Sequence, residues 1–168
     1  DISGTDSAGG IVGVNEVSGL ISNCSFDGTI YGKKQIGGIT GENYGTVLNC
    51  VNSGKVNTTF SESKITLDDM DITDLGLILN RNIIDISDIG GIVGLSTGII
   101  QGCKNYGEIG YTHVGYNVGG IVGRQSGYLS GCTNDGHVYG RKDVGGIVGQ
   151  QEPYTSRLTN SAHEQVRS

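Results

Sequence analysis

The sequence predicts an all-β fold, a right-handed parallel β-solenoid of about four to five coils. Three observations predict it. A glycine-rich hexapeptide recurs as AGGIVG at 8–13, IGGITG at 36–41, IGGIVG at 89–94 and VGGIVG at 118–123 and 144–149. Cys24, Cys50, Cys103 and Cys132 each follow a glycine by five residues and precede another by four, so they share one place in the repeat. Finally, 31 of the 168 residues are glycine, a composition hostile to helices, where each glycine costs about 1 kcal/mol relative to alanine.

Taken in order, the first glycine of each pair stands at 9, 37, 90, 119 and 145, giving spacings of 28, 53, 29 and 26. Within a unit, GGIVG is followed by an aliphatic residue two places after the next glycine, at Ile21, Val47, Ile100 and Leu129. A further aliphatic residue comes six places after each cysteine, at Ile30, Val56, Ile109 and Val138. Three short apolar segments separated by glycine predict three strands and tight corners per coil, a triangular cross-section. Glycine suits such corners because it adopts positive φ and lets backbones approach closely. Coils stacked at about 4.8 Å place like residues over like, and the crossover preference gives the right hand. The cysteines then form an internal ladder of free thiols. Disulfides fit poorly, because parallel Cβ vectors at that spacing exceed the roughly 3.5–4.5 Å that a bridge requires.

The pattern VGGIVG, G-x-[IL]-x-x-C-x-N-x-G-x-[IV] resembles the GLUG repeat of large bacterial surface and secreted proteins, including IgA1-protease-type zinc metallopeptidases. It covers about 8–57 and 89–150, with Asn52, Asn105 and Asn134 two residues after three of the cysteines and Phe26 replacing asparagine in the first unit. The resemblance implies an extracellular or cell-surface bacterial protein with many domains. It implies no catalytic residue.

The solenoid is expected over 1–150, interrupted at 58–88 by an insertion or a degenerate coil. Thr66 with Asp69 three places on resembles a capping box, which predicts a short helix over 67–80. Residues 151–168, with Pro153 near their start, are expected to be a cap, a linker or the start of another domain, with a helical tail.

A net charge of −6 leaves no basic surface for nucleic acid. The apolar runs are far too short to insert in a bilayer. The repeated glycines lack the G-x-x-x-x-G-K-[ST] context of a phosphate loop. Equal cysteine placement offers no tetrahedral set with histidine, so no metal and no cofactor are expected. HEQVR at 163–167 puts Arg167 where H-E-x-x-H needs its second histidine. Asp68, Asp69, Asp71 and Asp74 lack the spacing of a calcium loop. Asp27, Glu42, Glu108 and Asp135 are scattered among the repeats, with only Asp27 and Asp135 at a common offset three places after a cysteine, a weak basis for the carboxyl pair that a glycosidase needs. The best binding hint is Tyr44, Tyr106, Tyr116, Tyr128 and Tyr139, expected on the outer surface as contacts for sugars or proteins. The expectation is therefore a non-catalytic structural or adhesive module, acting as stalk or binding surface, on the cell surface or outside it. Its partners would be host glycans or proteins, or other domains of the same polypeptide. Alternatives are an accessory domain of an IgA1-protease-type metallopeptidase and a polysaccharide-active β-helix enzyme.

Overall fold

A computed structural model describes residues 2–58 and 86–152. These residues form parallel sheets wound into a β-solenoid of four complete coils. The first comprises β2 (Asp6–Gly9), β3 (Val12–Asn15), β4 (Leu20–Ser22), β5 (Ser25–Phe26) and β6 (Thr29–Tyr31). The second repeats this as β7 (Lys34–Gly37), β8 (Thr40–Asn43), β9 (Thr46–Leu48), β10 (Val51–Asn52) and β11 (Lys55–Val56). In the third, β12 (Ser87–Gly90), β13 (Val93–Ser96), β14 (Ile99–Gln101) and β15 (Lys104–Asn105) precede a single bridge at Ile109. The fourth has β16 (Tyr116–Gly119), β17 (Val122–Gln125), β18 (Tyr128–Ser130), β19 (Thr133–Asn134) and a bridge at Val138. At the two ends of the stack, β1 (Ile2–Ser3) pairs with β6, while β20 (Lys142–Gly145) and β21 (Val148–Gln151) pair with β16 and β17.

Each coil thus has five short segments rather than the three expected. The reason lies in the hexapeptide. Its Gly-Gly pair is the corner between two strands, with the residues on either side pairing in separate sheets. Second and third coils pair directly, Ile36 with Ile89, Thr40 with Val93, Val47 with Ile100 and Asn52 with Asn105. They are therefore nearest neighbours, and no coil lies between them. The helix expected over 67–80 and the C-terminal helical tail lie outside the described residues.

In-register stacking explains why all three glycines of the hexapeptide recur. In the third coil a Cβ on Gly90 would come within 2.8 Å of Ile121 O in the next coil. One on Gly91 would lie 2.7 Å from the Asn105 side chain, and one on Gly94 would lie 2.6 Å from Asp88 O on the strand folded back against it. These separations exclude any side chain, so the strands on either side of the corner close on bare backbone. A different device turns the chain before each cysteine, where Asn23, Asn49, Gly102 and Gly131 have φ of 54°, 51°, 65° and 59°. Asparagine and glycine tolerate this left-handed conformation better than other residues.

Two apolar cores run along the axis. One stacks Ile39, Ile92 and Ile121, Val47 with Ile100, and Cys50 with Cys103; the other stacks Ile36 with Ile89 and Val118, and Ile30 with Val56 and Ile109. Each fully buried aliphatic side chain stabilises the fold by about 1.5–3 kcal/mol. Asn52, Asn105 and Asn134 face the second glycine of the corners, and Phe26, their replacement in the first coil, packs against both cores. Asn52 Nδ2 donates to Asn105 Oδ1, and Asn105 Nδ2 to Asn134 Oδ1, each at 2.8 Å. Every one of these amides also bonds both backbone groups of the glycine two residues on, Gly54, Gly107 or Gly136. An amide both donates and accepts, so identical asparagines satisfy one another in a stack.

The corner geometry predicts a contrast. Gly91→Ala should lower the unfolding free energy by about 3 kcal/mol through overpacking. Gly146→Ala should change it by less than about 0.5 kcal/mol, because a Cβ on Gly146 would meet nothing within 4 Å. Urea midpoints at unchanged slope check this, and equal midpoints for the two variants would contradict it.

Candidate functional site

Position two before each Gly-Gly pair holds Ser7, Gln35, Asp88, Asn117 and Asp143, all with φ between 53° and 61°. The local fold demands this. Strand pairing jumps from Ser87 with Lys34 to Ile89 with Ile36, so the residue between is turned out of the ladder. Short polar side chains are suited to such left-handed positions. Stacking then brings Gln35, Asp88 and Asn117 together from three successive coils.

Asp88 is the hub, with only 2% of its surface exposed. Gln35 Nε2 donates to its Oδ2 at 3.1 Å and Asn117 Nδ2 to its Oδ1 at 2.9 Å. Arg124, reaching from β17, places Nη2 3.1 Å from the same carboxylate and Nη1 3.3 Å from Glu152 Oε1. Three donors from three other segments thus hold a buried carboxylate, and the group braces the stack. Arg124 Nε finds no partner among the described residues.

Beside this hub lies Tyr44. Burial raises its pKa above the usual phenol range, and the Glu42 carboxylate, which accepts its hydrogen bond, raises it further; Arg124 pulls in the opposite direction. Tyr44 is therefore partly engaged within the coil. The other tyrosines stand elsewhere. Tyr116 begins β16, Tyr128 begins β18, Tyr106 follows β15, and Tyr139 follows the Val138 bridge. Each occupies a different position of its coil. Tyr106 and Tyr139 are exposed and Tyr44, Tyr116 and Tyr128 half-buried, with the Tyr139 ring stacked on His137 at a centroid distance of 6.3 Å.

Inside the coil, Asn15, Asn43, Ser96 and Gln125 make a second polar stack. Asn15 Nδ2 donates to Asn43 Oδ1 at 2.9 Å and Asn43 Nδ2 to Ser96 Oγ at 3.2 Å. The amide of Gln125, wholly buried, has no partner among the described residues. The cysteines are free thiols, and each Sγ donates to the carbonyl two residues earlier, at Ser22, Leu48, Gln101 and Ser130. Among the described residues no group of three or more His, Cys, Asp or Glu is placed to hold a metal. The acidic cluster near Asp69 and the HEQVR segment lie outside the described residues.

Sequence reasoning missed Asp88, Gln35, Asn117 and Arg124. One signal was present: the residue ahead of the aliphatic-Gly-Gly triplet is polar in every copy, as Ser, Gln, Asp, Asn and Asp. Arg124 carried none, because its stack also contains Val14, Glu42, Leu95 and Gln150.

The hub makes a direct prediction. Asp88→Ala should cost about 1–3 kcal/mol, since it removes the acceptor of the Gln35 and Asn117 amides and leaves Arg124 with Glu152 alone. Asp88→Leu combined with Arg124→Met should recover most of that loss. A double-mutant cycle on urea-derived stabilities measures the coupling, and a coupling near zero would remove Asp88 from its bracing role.

The GLUG-motif family model matches residues 4–31, the segment that forms β2 to β6. No curated protein and no solved structure gives a significant match.

Proposed function

We propose that the chain is a non-catalytic structural and adhesive module of a large bacterial cell-surface or secreted protein, a stiff stalk whose flank binds host glycans or proteins or other domains of the same polypeptide. The observation that carries this is the uninterrupted coil-on-coil pairing. Two of the sheets run through five strands each without a break, so bending the stack requires breaking hydrogen bonds in several ladders at once. Repeat architectures of this kind present long continuous surfaces. The pairing of Asp88 supports the non-catalytic half, because the most buried carboxylate among the described residues is committed to Gln35, Asn117 and Arg124. Exposed Tyr106 and Tyr139 supply amphipathic contact groups for the adhesive half.

Incubation of the chain with pectins and with IgA should release no product, and reproducible turnover abolished by Asp88→Asn would overturn the non-catalytic assignment. On a glycan array and in pulldowns from host mucus, saturable retention is expected, reduced several-fold by Tyr106→Ala and Tyr139→Ala. Absence of retention in both assays would withdraw the adhesive role and leave the stalk.

A further inference from the structure

Cys24, Cys50, Cys103 and Cys132 stand over one another in successive coils, tied by backbone bonds from Val51 N to Cys24 O, Lys104 N to Cys50 O and Thr133 N to Cys103 O at 2.9–3.0 Å. Parallel strands at about 4.8 Å hold like side chains at a similar separation. That is too wide for a relaxed disulfide. It is close to the span of two metal–thiolate bonds laid end to end, about 4.6 Å on the scale of the zinc–thiolate bond of about 2.3 Å.

The middle of the ladder differs from its ends. Cys50 and Cys103 are wholly buried, whereas Cys24 and Cys132 are half-buried, and Cys132 opens into a cleft of about 440 Å³ at the C-terminal end of the stack, lined also by Leu129, Asn134, Asp135 and Ile147. Cys103 N–H donates to Cys132 Sγ at 3.4 Å, an arrangement that favours sulfur carrying negative charge. In keeping with it, hydrogen bonding from the Cys103 thiol lowers the Cys132 pKa against the effect of burial, and the backbone N–H groups of Cys103 and Gly102 lower it further; the same hydrogen bond, with that to Cys50 and with burial, raises the pKa of Cys103, so that thiol gives up its proton only as a cation enters. Asp135 adds a carboxylate to the cleft.

We propose that Cys103 and Cys132 form a two-coordinate site for a soft monovalent d10 cation of the copper(I) type. Sulfur ligands select such ions over hard cations. Both thiols lose their protons as the ion enters, giving a linear S–M–S unit with one net negative charge and releasing two protons. No electron is transferred. Cys132 meets the ion first from the cleft, and Cys103, fixed beneath it by the coil stack, completes the pair. The site needs no third ligand, and the flanking Cys50 offers a second rung of the same spacing deeper in the core.

Silver(I) is the probe, since it stays monovalent in air. The full chain, reduced and desalted, is titrated with silver nitrate and followed by native mass spectrometry and thiolate-to-metal ultraviolet absorption. The wild type and Cys24→Ser should each retain a first silver ion, with the bound mass showing two protons lost, and with Cys132 shielded from iodoacetamide. Cys132→Ser should weaken retention against a glutathione competitor by roughly 100-fold or more, while β-type circular dichroism stays native. Undiminished retention in Cys132→Ser would overturn the proposal. So would silver uptake only on loss of the β spectrum, or a Cys103–Cys132 disulfide in the reduced protein under air.

Discussion

The structure depends on one constraint, the in-register stacking of coil on coil. Backbone hydrogen bonds between coils fix the axial spacing, so every residue sits on its equivalents above and below. A residue type is then admissible only if it tolerates its own copy at about 4.8 Å. Isoleucine and valine do, and their ladders become the two cores. Asparagine does, because each amide donates to the next and accepts from the last. Like charges do not. The left-handed stack obeys this rule by flanking the Asp88 carboxylate with the amides of Gln35 and Asn117 rather than with further acids.

The same spacing dictates the glycines. At the hexapeptide the chain reverses so sharply that the strands on either side of the corner close backbone on backbone, and neighbouring coils crowd the corner from both sides. A methyl group would have to displace a carbonyl oxygen held by hydrogen bonds to another coil. The glycines therefore act as contact surfaces of the fold, while the left-handed turns elsewhere fall to asparagine or glycine. Phe26 shows what happens when the asparagine ladder stops. At the N-terminal end of the stack an apolar ring fills the place of an amide and contacts both cores.

The parallel solenoid was legible because period and phase survive in one dimension: equivalent residues recur whatever the cross-section. The number of strands per coil was not legible. A Gly-Gly pair flanked by aliphatics reads as one apolar segment, and only the pairing partners show that Ile89 and Val93 belong to different sheets. The candidate site was still harder to see. Gln35, Asp88, Asn117 and Arg124 come from three coils and two stacks, and no spacing in the sequence links Asp88 to Arg124. The tyrosines stand at five different offsets, and offset within the repeat decides position around the coil.

Repetition also limits where specific chemistry can arise. Stacks of identical residues give linear arrays, and a linear array cannot surround a ligand. Convergence requires that two stacks meet or that a stack end. Arg124 reaching across to Asp88 is the first case, and there the polar groups consume one another. Cys132 at the mouth of the terminal cleft is the second, and there a thiol stays accessible. Gln125 marks a third circumstance, a change of residue type within a ladder. Ser96 beneath it is bonded to Asn43, and the glutamine amide above is left without a partner among the described residues. Convergent polar chemistry in a molecule of this construction is confined to such departures, because the regular part has already used its hydrogen-bonding capacity to hold itself together.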